Sequence, residues 1–541
     1  MNARTLSQVM GLLSVAMVSL AAAPKPLDPA AVKKMEAALP EKAIVAPARP
    51  RRLLIFDLNV NYGGHPSAAY ANEAFRLMGE KTGAFQAVVS REAAVFEPQS
   101  LKKFDAVFFN NNVGNLFTDA KLRQSLVEFV YGGGGLMGVH GTTVAFTQWP
   151  GAKEDWPEFG LMIGGRGANH RDSNEHVIAK LDDAESPLNR CFEGRFEYRD
   201  EIFRVHDPYS RKRLRVLMSI DLEKTDLNQG GPPRGAIVRA DNDYALAWIR
   251  NYGRGRTFYC TIAHNPPVFS DPLMLRFYLG AAQFVLGDLP APTTPSELLT
   301  DAIRAHEKLN WRLGAAVFAD MTLFDAIDRA AQLGLLYMAA ADSQPISGGI
   351  ARRFGPGCSS DDMREIRMKL DSAGVRLLAW SMAQLPEDET KLRETFEFAR
   401  KMGIEVIITK APPQQLEAVE RLCDEHDIRL AIGPGGTPRR LAAALKDRSV
   451  RIGAYGDVGA WQSNGINPID AVGMLKSRLI VVQAGEAVRM GPLLAELRSQ
   501  SITPVMFAVQ PPADGGRGMG RVIETFNAAA MRLVREGTKQ E

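Results

Sequence analysis

Cysteine is scarce in this chain. Four thiols occur among 541 residues, Cys191, Cys260, Cys358 and Cys423, with no CxxC pair and no metal-ligand spacing. Cys191 with Cys260 is the one pair to consider for a disulfide, and buried free thiols are the simpler reading. A dominant charge is missing as well. Lys and Arg number 65 against 62 Asp and Glu, a formal net charge of +3, and no basic stripe is interleaved with aromatics. So weak a field excludes nucleic acid as a partner. Long apolar runs are absent beyond the N-terminus. Residues 9–22 are apolar, follow the weakly basic start Asn2-Ala3-Arg4 and end on Ala21-Ala22-Ala23. That pattern reads as an export signal over residues 1–23, placing the mature protein in the periplasm or outside the cell and off the membrane, with an uncleaved anchor as the alternative.

What is present is the composition of a soluble globular protein, 45% hydrophobic and 23% charged, too long for one ordinary core. Residues 24–50, rich in Ala, Pro and Lys, read as a tether. From residue 51 strands and helices alternate, with strands expected at 53–58, 85–90, 104–110 and 136–139 and helices at 65–82 and 119–131. That order implies a parallel sheet covered on both faces. Shorter strands follow without long helices, at 175–180, 196–205, 215–221, 236–240, 244–249 and 256–262, and a helix at 272–286 closes the domain at residue 288. A proline-rich linker spans 289–308. Eight apolar strands, at 313–318, 335–341, 375–381, 406–409, 428–432, 451–455, 479–483 and 504–510, then alternate with helices through residue 537. Eight such units fit a (β/α)8 TIM barrel, an open doubly wound sheet being the alternative.

The chemistry centres on Gly138-Val139-His140-Gly141, where a buried strand breaks into a turn at the carboxyl edge of the parallel sheet. A histidine there is either a satisfied polar group in a tight connection or an acid–base group working near neutral pH. His170 and His264 can converge on the same cleft. Three imidazoles also fit zinc, but separations of 30 and 94 residues supply no local motif, and no metal or other cofactor is assigned. Asn110, Asn111 and Asn112 end another parallel strand and carry amides suited to sugar hydroxyls, or to turn chemistry. Trp149 suits stacking on a pyranose or packing of its own loop. Asp200 and Glu201, read as neighbours on one strand, point to opposite faces and cannot flank a glycosidic bond. Glu201 is assigned to the cleft, its neighbour to the surface.

Several motifs in order carry a resemblance. Gly-Val-His-Gly at 138–141, Gln-Trp-Pro at 148–150, Gly-Gly-Arg-Gly-Ala-Asn-His at 164–170, Asp-Glu-Ile-Phe at 200–203, Leu-Ala-Trp at 246–248, Tyr-Gly-Arg-Gly-Arg at 252–256 and Ala-His-Asn-Pro at 263–266 make residues 52–288 resemble the ThuA-like family, associated with trehalose utilisation. The resemblance implies a flavodoxin or class I glutamine amidotransferase-like doubly wound sheet with added antiparallel strands. It also implies that His140 stands where amidotransferases carry their cysteine nucleophile, which excludes glutamine hydrolysis by that route.

Residues 310–535, with Gly-Asp-Val-Gly-Ala-Trp at 456–461 and Asn-Pro at 467–468, resemble the xylose isomerase-like, sugar phosphate isomerase/epimerase barrels. The strand ends depart from that family's metal site: Thr409-Lys410, Gly433-Pro434, Ala460, Gln483 and Gln510 stand where ligands are usual, leaving Asp457. A metal-free barrel follows, with Lys410 available to pair with Asp457 and with Asp320 and Asp342 capping the helices after them. The function expected is an exported protein acting on a sugar or oxidised keto-glycoside by histidine acid–base chemistry. A small carbohydrate is the expected partner, and an oligomer is possible. A non-catalytic carbohydrate-binding or scaffold protein and a sugar isomerase or epimerase working through the barrel are the alternatives.

Overall fold

A computed structural model describes residues 26–147, 154–194, 196–228, 239–410, 416–485, 488–511 and 517–537. The expected export signal lies outside these residues, as do Trp149 and most of the strand expected at 236–240.

The first domain is mixed α/β. Its strands are β1 (Arg52–Phe56), β2 (Gln86–Ser90), β3 (Ala106–Asn110), β4 (Gly135–Val139), β5 (Arg166–Asn169), β6 (Glu175–Leu181), β7 (Phe196–Asp200), β8 (Arg204–His206), β9 (Arg215–Ile220), β10 (Ala245–Tyr252) and β11 (Gly255–Cys260). Nine of them form one sheet in the order β2-β1-β3-β4-β11-β10-β9-β6-β7, and β5 pairs with β8 apart from it. The first five strands are parallel to one another, the strand order of flavodoxin-type doubly wound sheets. From β11 onward each neighbour is antiparallel. Strands β3 and β4 are buried along their whole length because helices cover both faces, and they therefore read as continuous apolar runs.

Continuity misleads at 196–205. The stretch is two strands, β7 and β8, broken at Glu201–Phe203. Glu201 therefore lies outside the alternation that was to separate it from Asp200. Asp200 is no surface group either. It is wholly buried, and its carboxylate accepts the backbone N–H of His264 (3.0 Å) and of Asn265 (2.9 Å).

The stretch expected as a tether is docked. The helix Pro29–Ala38 buries Met35, and the Gln283 side chain accepts from Ile44 N–H (2.8 Å) and donates to the Val45 carbonyl (2.6 Å). The expected linker also contains structure, the helix Asp301–Leu309.

The second domain is a closed barrel of eight parallel strands: β12 (Leu313–Ala315), β13 (Tyr337–Ala341), β14 (Arg376–Met382), β15 (Val406–Thr409), β16 (Arg429–Ile432), β17 (Ile452–Gly456), β18 (Leu479–Ala484) and β19 (Met506–Val509). Pairing of β12 with β19 closes the ring. All four cysteines are free thiols. Among the described residues no helix is long and apolar enough to cross a membrane.

Candidate functional site

The carboxyl ends of the parallel strands bring four loops together. His140 follows β4 directly, at a φ of 41° that a side chain adopts only when its surroundings hold it there. The loop after β1 supplies His65, the loop after β11 supplies His264, and the break after β7 supplies Glu201. Ring centroids stand 4.8 Å apart for His65 and His140, 5.1 Å for His140 and His264, and 5.5 Å for His65 and His264. Glu201 faces them all. Its Oε1 is 3.4 Å from His140 Nε2, and its Oε2 is 3.6 Å from His264 Nε2 and 3.4 Å from His170 Nδ1. One donor atom from each of His65, His140, Glu201 and His264 lies within 4.8 Å of every other. Among the described residues this is the only such set of three or more His, Cys, Asp or Glu side chains.

Backbone carbonyls set the imidazoles. His140 Nδ1 lies 3.0 Å from the Thr261 carbonyl and His65 Nδ1 lies 3.1 Å from the Asn111 carbonyl, so each Nδ1 carries the proton and each Nε2 keeps its lone pair. Burial pushes His140 down to about 4, although the neighbouring Glu201 carboxylate acts the other way. Burial likewise holds His65 well below the ordinary histidine range, with His140 adding to the effect. Burial alone would raise Glu201, but the imidazoles around it, His140 first among them, outweigh that and hold it below the usual carboxylate value. His140 is sealed from solvent, so it cannot be the base that meets a substrate directly. The mouth belongs to His170, with 39% of its side chain exposed, to Tyr62, and to the outer edge of Glu201.

The three asparagines serve this arrangement from behind. Asn110 Nδ2 donates to the Ala68 carbonyl and to Asn72 Oδ1 (2.8 Å each), and Asn112 Nδ2 to the carbonyls of Phe56 (3.1 Å) and Leu58 (2.8 Å). Asn111 ties three loops at once. Its Nδ2 donates to Ser67 Oγ and the Ala263 carbonyl, both at 3.1 Å, while its Oδ1 accepts Gly141 N–H at 3.2 Å. All three residues are fully buried, which corrects their assignment to sugar hydroxyls. The same turn chemistry that made them ambiguous is what they perform.

Sequence reading placed His140, His170, His264 and Glu201 together and missed His65. The signal was available: His65 ends the segment Asn61-Tyr62-Gly63-Gly64-His65 after the first parallel strand, an edge where ligands bind. Reading it as the first residue of a helix concealed it; the helix begins at Ala68.

At the barrel mouth the expected pairing is not made. Lys410 is exposed and forms no ion pair with Asp457, whose Oδ1 accepts Ala460 N–H (3.0 Å) and so caps the helix Val458–Ser463. Asp320 and Asp342 do not cap the helices that follow them. Thr322 and Ser359 do, because they lie immediately before the first turns.

An open α/β domain with a histidine–carboxylate centre on the carboxyl edge of its parallel strands, followed by a TIM barrel, defines the class of this protein. Residues 52–285 match the family described as ThuA, trehalose utilisation, so the first domain is a ThuA domain. Similar solved structures include a ThuA-like protein from Bacteroides uniformis, 19% identical over 44% of this chain and 93% of that one, with a TM-score of 0.36. A xylose isomerase-like TIM barrel protein from Mycobacterium smegmatis in complex with magnesium is 13% identical over 42% of this chain and 98% of its own, with a TM-score of 0.33. A sugar phosphate isomerase/epimerase from Parabacteroides distasonis is 10% identical over 40% and 92%, with a TM-score of 0.31. No curated protein sequence matches the chain.

Proposed function

We propose that this protein is an exported, carbohydrate-active enzyme whose ThuA domain transforms a small sugar or keto-glycoside at the His65, His140, Glu201 and His264 cluster. The observation that carries the reading is convergence. Four loops of a domain matching a trehalose-utilisation family deliver three imidazoles and a carboxylate to the edge where α/β sheets bind ligands. His170, half-exposed and 3.4 Å from Glu201, is the group that exchanges protons with the substrate, and Glu201 sets its orientation. Removal of an acidic proton beside a sugar carbonyl needs a base and polar stabilisation of the oxyanion, and this mouth has both kinds of group.

Incubation of the purified protein with a panel of disaccharides and 3-keto-disaccharides tests the reading. Turnover that falls at least 100-fold in His170→Ala and in His140→Ala, both still folded by circular dichroism, is the result expected. Sugar binding without turnover would leave a carbohydrate-binding protein instead, a reading the barrel favours, since Asp457 is used as a helix cap and not as a partner of Lys410. Export is tested by cell fractionation: the chain beginning near residue 24 should be recovered outside the cytoplasm.

A further inference from the structure

We propose that His65, His140, Glu201 and His264 bind a divalent transition-metal ion of the zinc class. This deepens the reading above, since it assigns a ligand to the same cluster, and it rests first on distances. The 3.4 Å between His140 Nε2 and Glu201 Oε1, and the 3.6 Å between His264 Nε2 and Glu201 Oε2, are long for hydrogen bonds between such groups. They match two ligands of one ion, since tetrahedral donors at about 2.1 Å from zinc stand about 3.4 Å from each other.

The protons point the same way. With each Nδ1 committed to a carbonyl, His65 and His140 turn lone pairs toward a carboxylate that also carries only lone pairs. Among the described residues, His140 Nε2 is buried and has no hydrogen-bond partner. Electron pairs converging in a place shut off from water repel one another unless a cation sits among them. Carbonyl acceptors behind the rings are also what fixes metal-bound histidines in tautomer and angle.

Donor chemistry selects the ion. Three imidazoles and one carboxylate suit zinc, cobalt, nickel, iron or copper, whereas magnesium and calcium want oxygen. An ion here would supply a Lewis acid for a sugar carbonyl or hydroxyl arriving past His170 and Tyr62.

The test uses the full chain, stripped with a chelator and titrated with Zn²⁺, Co²⁺ and Mg²⁺ by calorimetry. One Zn²⁺ per chain, a rise in melting temperature on loading, and a visible absorption band on Co²⁺ loading with little response to Mg²⁺ are expected. Glu201→Gln, which keeps the side chain's shape, and His65→Ala should each weaken Zn²⁺ more than about 100-fold, because loss of supporting partners alone costs 10 to 100-fold. Asp457→Asn in the barrel should change nothing. If either cluster variant is unfolded, the other decides together with His264→Ala. Absence of a stoichiometric isotherm, or one that these variants leave intact, overturns the proposal. The two readings separate cleanly: a sugar turned over at full rate by metal-free protein sinks the metal and keeps the enzyme, while tight metal with no sugar turnover does the reverse.

Discussion

Asn111 shows how one side chain can position a whole site. It holds a φ of 57°, its carbonyl receives His65, and its amide binds the loops that carry His140 and His264. Removing the amide leaves buried groups on two loops without partners, a loss of about 1–3 kcal/mol for each such group. Asn111→Ala also pays about 1 kcal/mol for its left-handed backbone, which Asn111→Gly does not. Chemical denaturation of both variants, alongside turnover, separates the two effects. Loss of turnover in both variants is the expected outcome, and recovery in Asn111→Gly would mean that only the backbone mattered. Gly141 is constrained differently. A Cβ there would stand 2.6 Å from His65 Cε1 and 3.0 Å from the Asn111 carbonyl oxygen. Gly141→Ala must therefore displace His65, and a decline of at least tenfold in turnover with little change in melting temperature is expected. Unchanged kinetics would show that His65 is not needed in its observed position.

At the scale of strands and helices, much was legible because apolar runs between glycine and proline punctuation mark parallel strands. The eight barrel strands and the first four strands of the open sheet were readable for that reason. What escaped was a break within a strand-like sequence. Residues 196–205 keep β-forming composition through Glu201–Phe203, and only tertiary contacts, such as Phe203 N–H donating to Thr261 Oγ1 at 2.8 Å, turn the chain toward the site. Spacing could not reveal the histidine cluster either, because its members come from loops distant in sequence.

Strand starts also carry an ionic device that was not foreseen. Glu405, just before β15, binds Arg312, just before β12, at 2.8 Å, and Arg376 of β14 at 3.0 Å. Burial would raise the Glu405 carboxyl, but the charges of Arg312, Arg376 and Arg254 outweigh it and hold it down at about 2. A carboxyl depressed on folding contributes stability in full above its unfolded value of about 4.3, and loses it as pH falls through the folded value. Wild type should therefore exceed Glu405→Gln by about 1–3 kcal/mol at pH 7, with the gap near half at pH 3. Guanidinium midpoints at the two pH values measure this. A gap that does not narrow in acid would rule out the ion pairs as its origin.

The molecule as a whole is held by charges that cross from the open sheet to the barrel's helices. Arg250 of β10 and Arg213 both bind Asp371, near the end of the helix Ser360–Ala373, the latter at 3.2 Å. Arg367 of that helix approaches Glu158 at 3.6 Å, and Glu158 also accepts the Tyr252 hydroxyl at 3.2 Å. From the barrel helix Glu389–Lys401, Lys401 reaches Glu128 at 3.4 Å, and Asp427, just after the helix Leu416–His426, binds Arg254. The side chains of Arg250 and Asp371 are only 7% and 6% exposed, so their pairing is not a solvated surface bridge. Taking away one member of a buried pair leaves the other charged and without compensation, at a cost of about 3–5 kcal/mol. In Asp371→Ala that cost falls on the junction and not on either core, because Arg250 is stranded where the two domains meet. Scanning calorimetry should accordingly give one cooperative transition for wild type and two for Asp371→Ala, the lower displaced by several degrees. The histidine cluster lies at the other end of the open sheet's strands, so sugar turnover well below the first transition should be unchanged. A single transition at the wild-type temperature would show that the domains are coupled by something other than these charges. Lost turnover in a variant that still melts normally would instead mean that the barrel acts on the cluster through this junction.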